Sequence, residues 1–170
     1  MEAKERYWLT MSEVVYYRNI VDLKLERNRK CMMWSNILFA IIGTGALGTF
    51  LVYHQNLALL CCVAAQCYQA CLPFLPWNKD VRPLHQAAVR YDLLGEQMES
   101  VWWRIDDMND ASILAKADQF EKRCTKLIGG LFREGIGFES YDRKACDLRD
   151  VYMKRFNSET AFAKEDKPEA

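Results

Sequence analysis

Two histidines, seven cysteines and one acidic cluster are the side chains of this 170-residue chain whose types and spacing bear on chemistry. His85 stands close to Arg82, but only two residues separate them and Pro83 is one of these. That spacing is too short for the arginine–histidine pair of a helical ribonuclease, and a histidine at a helix start explains the same letters. His54 has no catalytic partner in its neighbourhood. The cluster Asp106-Asp107-Asn109-Asp110 has the carboxylates to hold a cation, yet helix capping at an interhelical turn accounts for it more simply. None of the cysteines forms a CxxC pair, so neither zinc nor redox chemistry is expected, and they read as reduced, small apolar side chains. HExxH, GxxxxGK[ST], GxSxG and GxGxxG are all absent. No catalytic residue, metal ligand or cofactor site is expected, and the chain reads as a non-enzyme. With 23 basic and 23 acidic residues, and no basic block, nucleic acid is not an expected partner.

The charges are strongly segregated. No Asp, Glu, Lys or Arg occurs at the 48 positions from Cys31 to Asn78. The run divides at His54-Gln55-Asn56 into Cys31–Tyr53 and Leu57–Pro76, of 23 and 20 residues. As helices rising roughly 1.5 Å per residue these reach about 34 and 30 Å, against a hydrocarbon core of about 30 Å. Two membrane spans are therefore expected. Trp34 and Trp77 lie near their ends, where amphipathic rings prefer the headgroup region, and Pro73 and Pro76 near the exit of the second. A charged segment of helix length precedes the run, which excludes a cleavable signal peptide. Arg27, Arg29 and Lys30 precede the first span, Lys79, Arg82 and Arg90 follow the second, and the turn between has no full charge. Basic residues stay on the cytoplasmic side during insertion, so both termini are expected in the cytoplasm.

Polar residues recur within the spans. On the first, Asn36, Ala40, Thr44 and Gly48 follow one another every four residues, with Gly43 and Gly45 close by. On the second, Cys62, Gln66 and Gln69 share a face. Small residues at this spacing let helices approach closely in lipid, and each amide there needs a partner or water. Two readings follow: Asn36, Gln66 and Gln69 are packing glue, or they line a water-filled path, with Thr44, Gly48 and Cys62, in an assembly of several hairpins.

The flanking segments carry helical periods and no strand pattern. Residues 1–30 form an amphipathic helix, with Met11, Val14, Val21 and Leu25 at helical spacing from Tyr7 to Lys30, expected to enter the first span with little break. Its aromatic residues Tyr7, Trp8, Tyr16 and Tyr17 have two destinations that the sequence does not choose between, the membrane surface and the C-terminal part, of which packing on the C-terminal part is favoured. Residues 77–157 form a helical domain. There Leu84, Ala87, Tyr91, Leu94, Met98, Val101, Ile105 and Met108 fall on steps of three and four, the seam of a coiled coil or bundle and a means of joining copies. Asp110 is placed to cap a second stripe of Ile113, Leu114, Ala117, Phe120, Cys124, Leu127 and Leu131, antiparallel to the first. Gly129, Gly130, Gly135 and Gly137 are expected to end it, and a last helix to run from Ser140 to Asn157 on Tyr141, Ala145, Leu148, Val151, Tyr152 and Phe156. Residues 158–170 read as a disordered tail. The fold class is all-α: a two-span hairpin at 31–76 between an N-terminal amphipathic helix and a cytoplasmic helical bundle.

This order, with Leu75-Pro76-Trp77-Asn78-Lys79-Asp80 followed by His85, Ala88, Tyr91, Leu94 and Val101-Trp102-Trp103, resembles the SLATT domains over roughly residues 7 to 157. Those are two-span membrane effectors of bacterial conflict and anti-phage systems, and small pore-forming accessories of RNA-guided defence are similar. The resemblance implies a homo-oligomer in the bacterial inner membrane. It permeabilises or depolarises that membrane in abortive infection, when a separate sensor protein or a nucleotide second messenger signals. A non-conducting membrane adaptor, whose helices bind another protein, is the competing expectation.

Overall fold

The computed structural model describes residues 2–43, 63 and 66–165. In chain order it consists of α1 (Ala3–Gly43), a 3-10 turn Leu72–Phe74, a one-turn helix Pro76–Lys79, α2 (Val81–Trp102), a 3-10 turn Ile105–Asp107, α3 (Asp110–Arg133), a 3-10 turn Glu139–Tyr141 and α4 (Asp142–Glu165). Residues 66–71 are also helical. Among the described residues there is no strand, and the fold is all-α. The chain divides into two compact units, Met1–Lys24 with Leu84–Ala170, and Leu25–Pro83.

In the first unit the N-terminal part of α1, with α2, α3 and α4, encloses one apolar core. No glycine or proline interrupts α1 before Gly43, so nothing local stops the helix, and it runs through the expected junction at residue 30 without a break. Its core positions are Tyr7, Met11, Val14, Val15, Ile20 and Val21, all buried. Tyr7 stacks on Trp102 with ring centroids 6.2 Å apart, meets the Phe120 ring edge-on at 6.1 Å, and donates its hydroxyl proton to the Met98 carbonyl at 2.9 Å. Of the two destinations open to the N-terminal aromatics, Tyr7, Trp8 and Tyr16 take the helical domain. Further along, Arg18 pairs with Asp92 at 2.6 Å, while Lys24 donates to the Gly137 carbonyl at 2.5 Å and lies 5.1 Å from the Phe138 ring centre. These contacts set α1 antiparallel to α2 and parallel to α3.

The stripes on α2 and α3 face one another as an antiparallel pair, Tyr91 donating to the Cys124 carbonyl at 3.3 Å and Arg123 to Gln97 Oε1 at 3.0 Å. Helix α2 tolerates Pro83 in its first turn, where a backbone N–H has no intrahelical partner. Helix α3 departs from the sequence expectation at both ends. Its cap is Asn109, whose side chain accepts from the Ser112 N–H at 2.9 Å, and Asp110 is the first helical residue instead. An amide oxygen caps as well as a carboxylate, and Asp110 in the first turn still favours the helix dipole. Gly129 and Gly130 do not end the helix. It continues to Arg133 and stops where Gly135 takes φ 76°, with Ile136 N–H bonding the Leu131 carbonyl at 3.2 Å and Gly135 N–H the Phe132 carbonyl at 3.0 Å. This is a Schellman closure, and its hydrophobic contact is present in the buried pair Leu131 and Ile136. Ile128 rather than Leu127 is the buried position of the last turns.

Helix α4 spans Asp142–Glu165, so residues 158–165, expected in a tail, are helical, and Asp166–Ala170 lie outside the described residues. Of its expected face, Ala145 is buried, Tyr141 and Tyr152 are half-buried, and Leu148 and Val151 are exposed, while the Phe156 side chain lies outside the described ones; Met153 is buried as well. Three helices already close the core, so the fourth adds only a thin line of contact. Phenol–carboxylate bonds fasten it, from Tyr16 to Asp142 and from Tyr152 to Glu99.

The second unit contains the described part of the uncharged run. After the helical residues 66–71 the chain leaves the helix at Leu72–Phe74, with Leu75 extended at φ −68° and ψ 135°. A residue preceding proline is excluded from the helical region by its Cδ, and Pro76 follows. Asn78 Nδ2 closes the break by donating to the Leu72 carbonyl at 3.1 Å. Among the described residues no helix is long and apolar enough to cross a membrane. The spans expected at Cys31–Tyr53 and Leu57–Pro76 are described only at 31–43, 63 and 66–76, and the turn His54-Gln55-Asn56 lies outside the described residues.

Two outcomes test this account. Gly135→Ala places a side chain at φ 76° and is expected to cost about 1 kcal/mol in denaturant unfolding. Gly137→Ala is expected to cost less, since Gly137 has no positive φ. The second concerns pH. Burial pushes the Cys124 thiol from 9.0 up to about 12 and raises the Tyr91 and Tyr7 phenols as well. The folded state therefore keeps protons that the unfolded chain releases. Stability is fully present below about pH 9 and falls as pH rises from there to about 12. Unfolding curves across this range are expected to show the decline, with a shallower slope in Cys124→Ala.

Candidate functional site in the uncharged segment

The uncharged segment is the part of the molecule whose residue types are hardest to explain as simple packing. Its two described arms touch: Phe39 on α1 and Tyr68 in the helical stretch 66–71 stack with centroids 4.3 Å apart and planes 26° from parallel. Phe39 stands 15 residues before His54 and Tyr68 stands 14 after it. The two rings are thus nearly equidistant from the expected turn, which itself lies outside the described residues. Neither ring stands out in the sequence. The signal available there was the symmetry of two aromatic residues about the turn, which a search for polar residues passes over.

Among the described residues of the segment, most apolar side chains are exposed. Met33 is 50% exposed, Trp34 64%, Ile37 40%, Leu38 60%, Ile41 57%, Val63 52% and Phe74 80%. Apolar surface of this extent is costly in water and marks a surface for lipid or another protein. Within this apolar exterior, Asn36, Gln66 and Gln69 are exposed as well. At about 100° per residue, Gln69 points about 100° and Gln66 about 160° away from Tyr68, the side chain that meets α1. Gln66 thus lies nearly opposite the Phe39 contact and Gln69 to one side of it, and both are exposed. Inside this unit the Tyr68 hydroxyl and the Trp77 and Asn28 N–H groups are buried without a hydrogen-bond partner among the described residues. Thr44, Gly48 and Cys62, which complete the expected polar faces, lie outside the described residues.

The stripe expected to join copies is placed differently. Leu84, Tyr91, Leu94, Met98 and Ile105 are buried inside the first unit of the chain itself, and Val101 is half-buried. The α3 stripe and the aromatic face of α1 occupy the groove that a second copy would need. Burial of these residues against α1 and α3 satisfies the stripe within the first unit.

In the acidic cluster two residues have structural contacts. Asp106 accepts an ion pair from Lys4 at 2.6 Å, and Asn109 caps α3. The Lys4 ammonium is held above its usual range by that hydrogen bond and charge. The pair is exposed, and exposed pairs contribute little. His85 lies on the exposed side of α2. Among the described residues no group of three His, Cys, Asp or Glu is placed to hold a metal ion. Cys67 and Cys71 are exposed, Cys31 and Cys146 half-buried, and Cys124 buried, all with free thiols. No protein-family model matches this chain, and neither does any curated protein or solved structure.

The ring pair is open to a direct test. A double-mutant cycle of Phe39→Ala and Tyr68→Ala on the detergent-solubilised chain is expected to give a coupling of about 0.5–1.5 kcal/mol, the range for stacked aromatic side chains. Strict additivity would mean that the arms do not pair.

Proposed function

We propose that the chain is a membrane effector of bacterial anti-phage defence that assembles into a pore, or otherwise disrupts the inner membrane, so that the cell loses its membrane potential. The observation that carries this reading is the outward direction of Gln66 and Gln69 within an uncharged, apolar segment. In a lone anchor those amides would face hydrocarbon at several kcal/mol each. An arrangement of several hairpins gives them water or one another, and one hairpin alone has too few helices to enclose a path. The SLATT resemblance points the same way, and supplies inner-membrane placement with both termini in the cytoplasm. It also supplies activation by a separate sensor protein or a nucleotide second messenger.

A membrane adaptor is the second reading, and one observation favours it. With the α2 stripe spent inside the monomer, the helical domain offers no ready means of assembly, and a hairpin that only anchors would need none. The two readings separate on Gln66→Leu with Gln69→Leu. Both substitutions retain length and apolar fit to a bilayer, so an adaptor keeps working, while a wet pore loses its polar lining. In phage-challenged bacteria carrying the chain, a potential-sensitive dye is expected to report depolarisation and growth arrest with the native sequence. The double variant is expected to show neither. Unchanged potential with the native sequence sinks the pore reading.

A further inference from the structure

The junctions between charged and uncharged sequence carry a second pattern. On α1, Arg29 and Lys30 are exposed, and one helical turn further on each is followed by an exposed apolar residue: Met33, 50% exposed, after Arg29, and Trp34, 64% exposed, after Lys30. The face begun by Lys30 continues outward through Ile37 and Ile41, also exposed. Across the break at Leu72–Leu75, Phe74 is 80% exposed, and the exposed Lys79 and Arg82 follow it. Arg27 completes the set. By sequence, residues 26–30 and 79–82 hold these five cations and two carboxylates, Glu26 and Asp80, and the Lys30–Glu26 pair at 2.6 Å leaves both side chains more than half exposed.

A cation set at the head of an apolar wall is complementary to one chemical form, a phosphate group joined to a hydrocarbon chain. A free phosphate has no use for the wall, and an acidic protein surface does not supply the chain. We infer that Arg27, Arg29, Lys30, Lys79 and Arg82 form a collar that binds the headgroups of anionic phospholipids, with Met33, Trp34 and Phe74 against the first carbons of the acyl chains. This rests on the membrane reading above and gives it a lipid preference. The collar fixes the depth of both arms at one interface, so anionic lipid content becomes a determinant of how the hairpin is held.

The experiment uses the full chain reconstituted in vesicles of phosphatidylcholine and phosphatidylglycerol, re-solubilised in mild detergent, with the retained lipid quantified. The native sequence is expected to retain phosphatidylglycerol several-fold above its input share. That enrichment should fall to the input share in the variant with all five cations changed to Gln, and should survive in R27K/R29K/R82K. Sodium phosphate and sodium chloride at equal ionic strength are expected to weaken it equally, because a diffuse headgroup collar responds to screening alone. Selective displacement by phosphate would overturn the lipid assignment in favour of a free-phosphate site. Two failures are distinguishable by alkaline carbonate extraction of the vesicles. A chain that is extracted overturns the membrane reading itself, and a chain that resists extraction but shows no enrichment overturns the collar alone.

Discussion

Tyr7 holds three helices in register with one side chain. Its ring is wholly buried between Trp102 and Phe120, and its hydroxyl ends on the Met98 carbonyl at 2.9 Å. Burial of a ring of this size contributes about 1.5–3 kcal/mol, and the hydrogen bond makes the position specific, since a phenol left unbonded there would cost a polar burial. With Tyr7 fixed, Met11, Val14 and Val21 fall about one, two and four turns along the same face, and Arg18 comes to Asp92. The start of α1 is thereby committed to α2 and α3, although the same helix continues without interruption into the uncharged segment.

That commitment decides what is left over. A coiled-coil stripe on an isolated helix invites a partner, but the α2 stripe finds its partner in its own chain, and the α3 stripe is covered with it. The helical unit keeps scattered apolar side chains at its surface, such as Leu9, Trp103, Phe132 and Val151, and its ion pairs lie there too, where they stabilise little. In the second unit the exposed apolar side chains follow one another closely, from Met33 to Ile41, with Phe74 exposed as well. That run is the surface to which the proposed function assigns assembly and bilayer contact.

Several features were readable from residue order alone. The helical periods of α1, α2 and α3 follow from the recurrence of apolar residues every three or four positions, and the unbroken run of α1 from the absence of proline and glycine. The break before Pro76 follows from the steric demand of proline on its predecessor. These are local properties, set by neighbours within one or two turns. The destination of a stripe is not local. Sequence gave the α2 seam as apolar but could not say whether its partner lay in the same chain or in another, because both arrangements bury the same area. Nor could it tell that Gly129 and Gly130 remain helical: their local cost is outweighed by the packing of Ile128 and Leu131 on either side, and the helix stops only at Gly135, where the backbone needs a positive φ. The contact of Tyr68 with Phe39, 29 residues away, and the exposure of Gln66 and Gln69 on the same short helix are likewise not local properties. Composition and spacing thus determined which elements form and which faces are apolar. Only the tertiary structure decided which faces meet, because that choice rests on contacts between residues far apart in the chain.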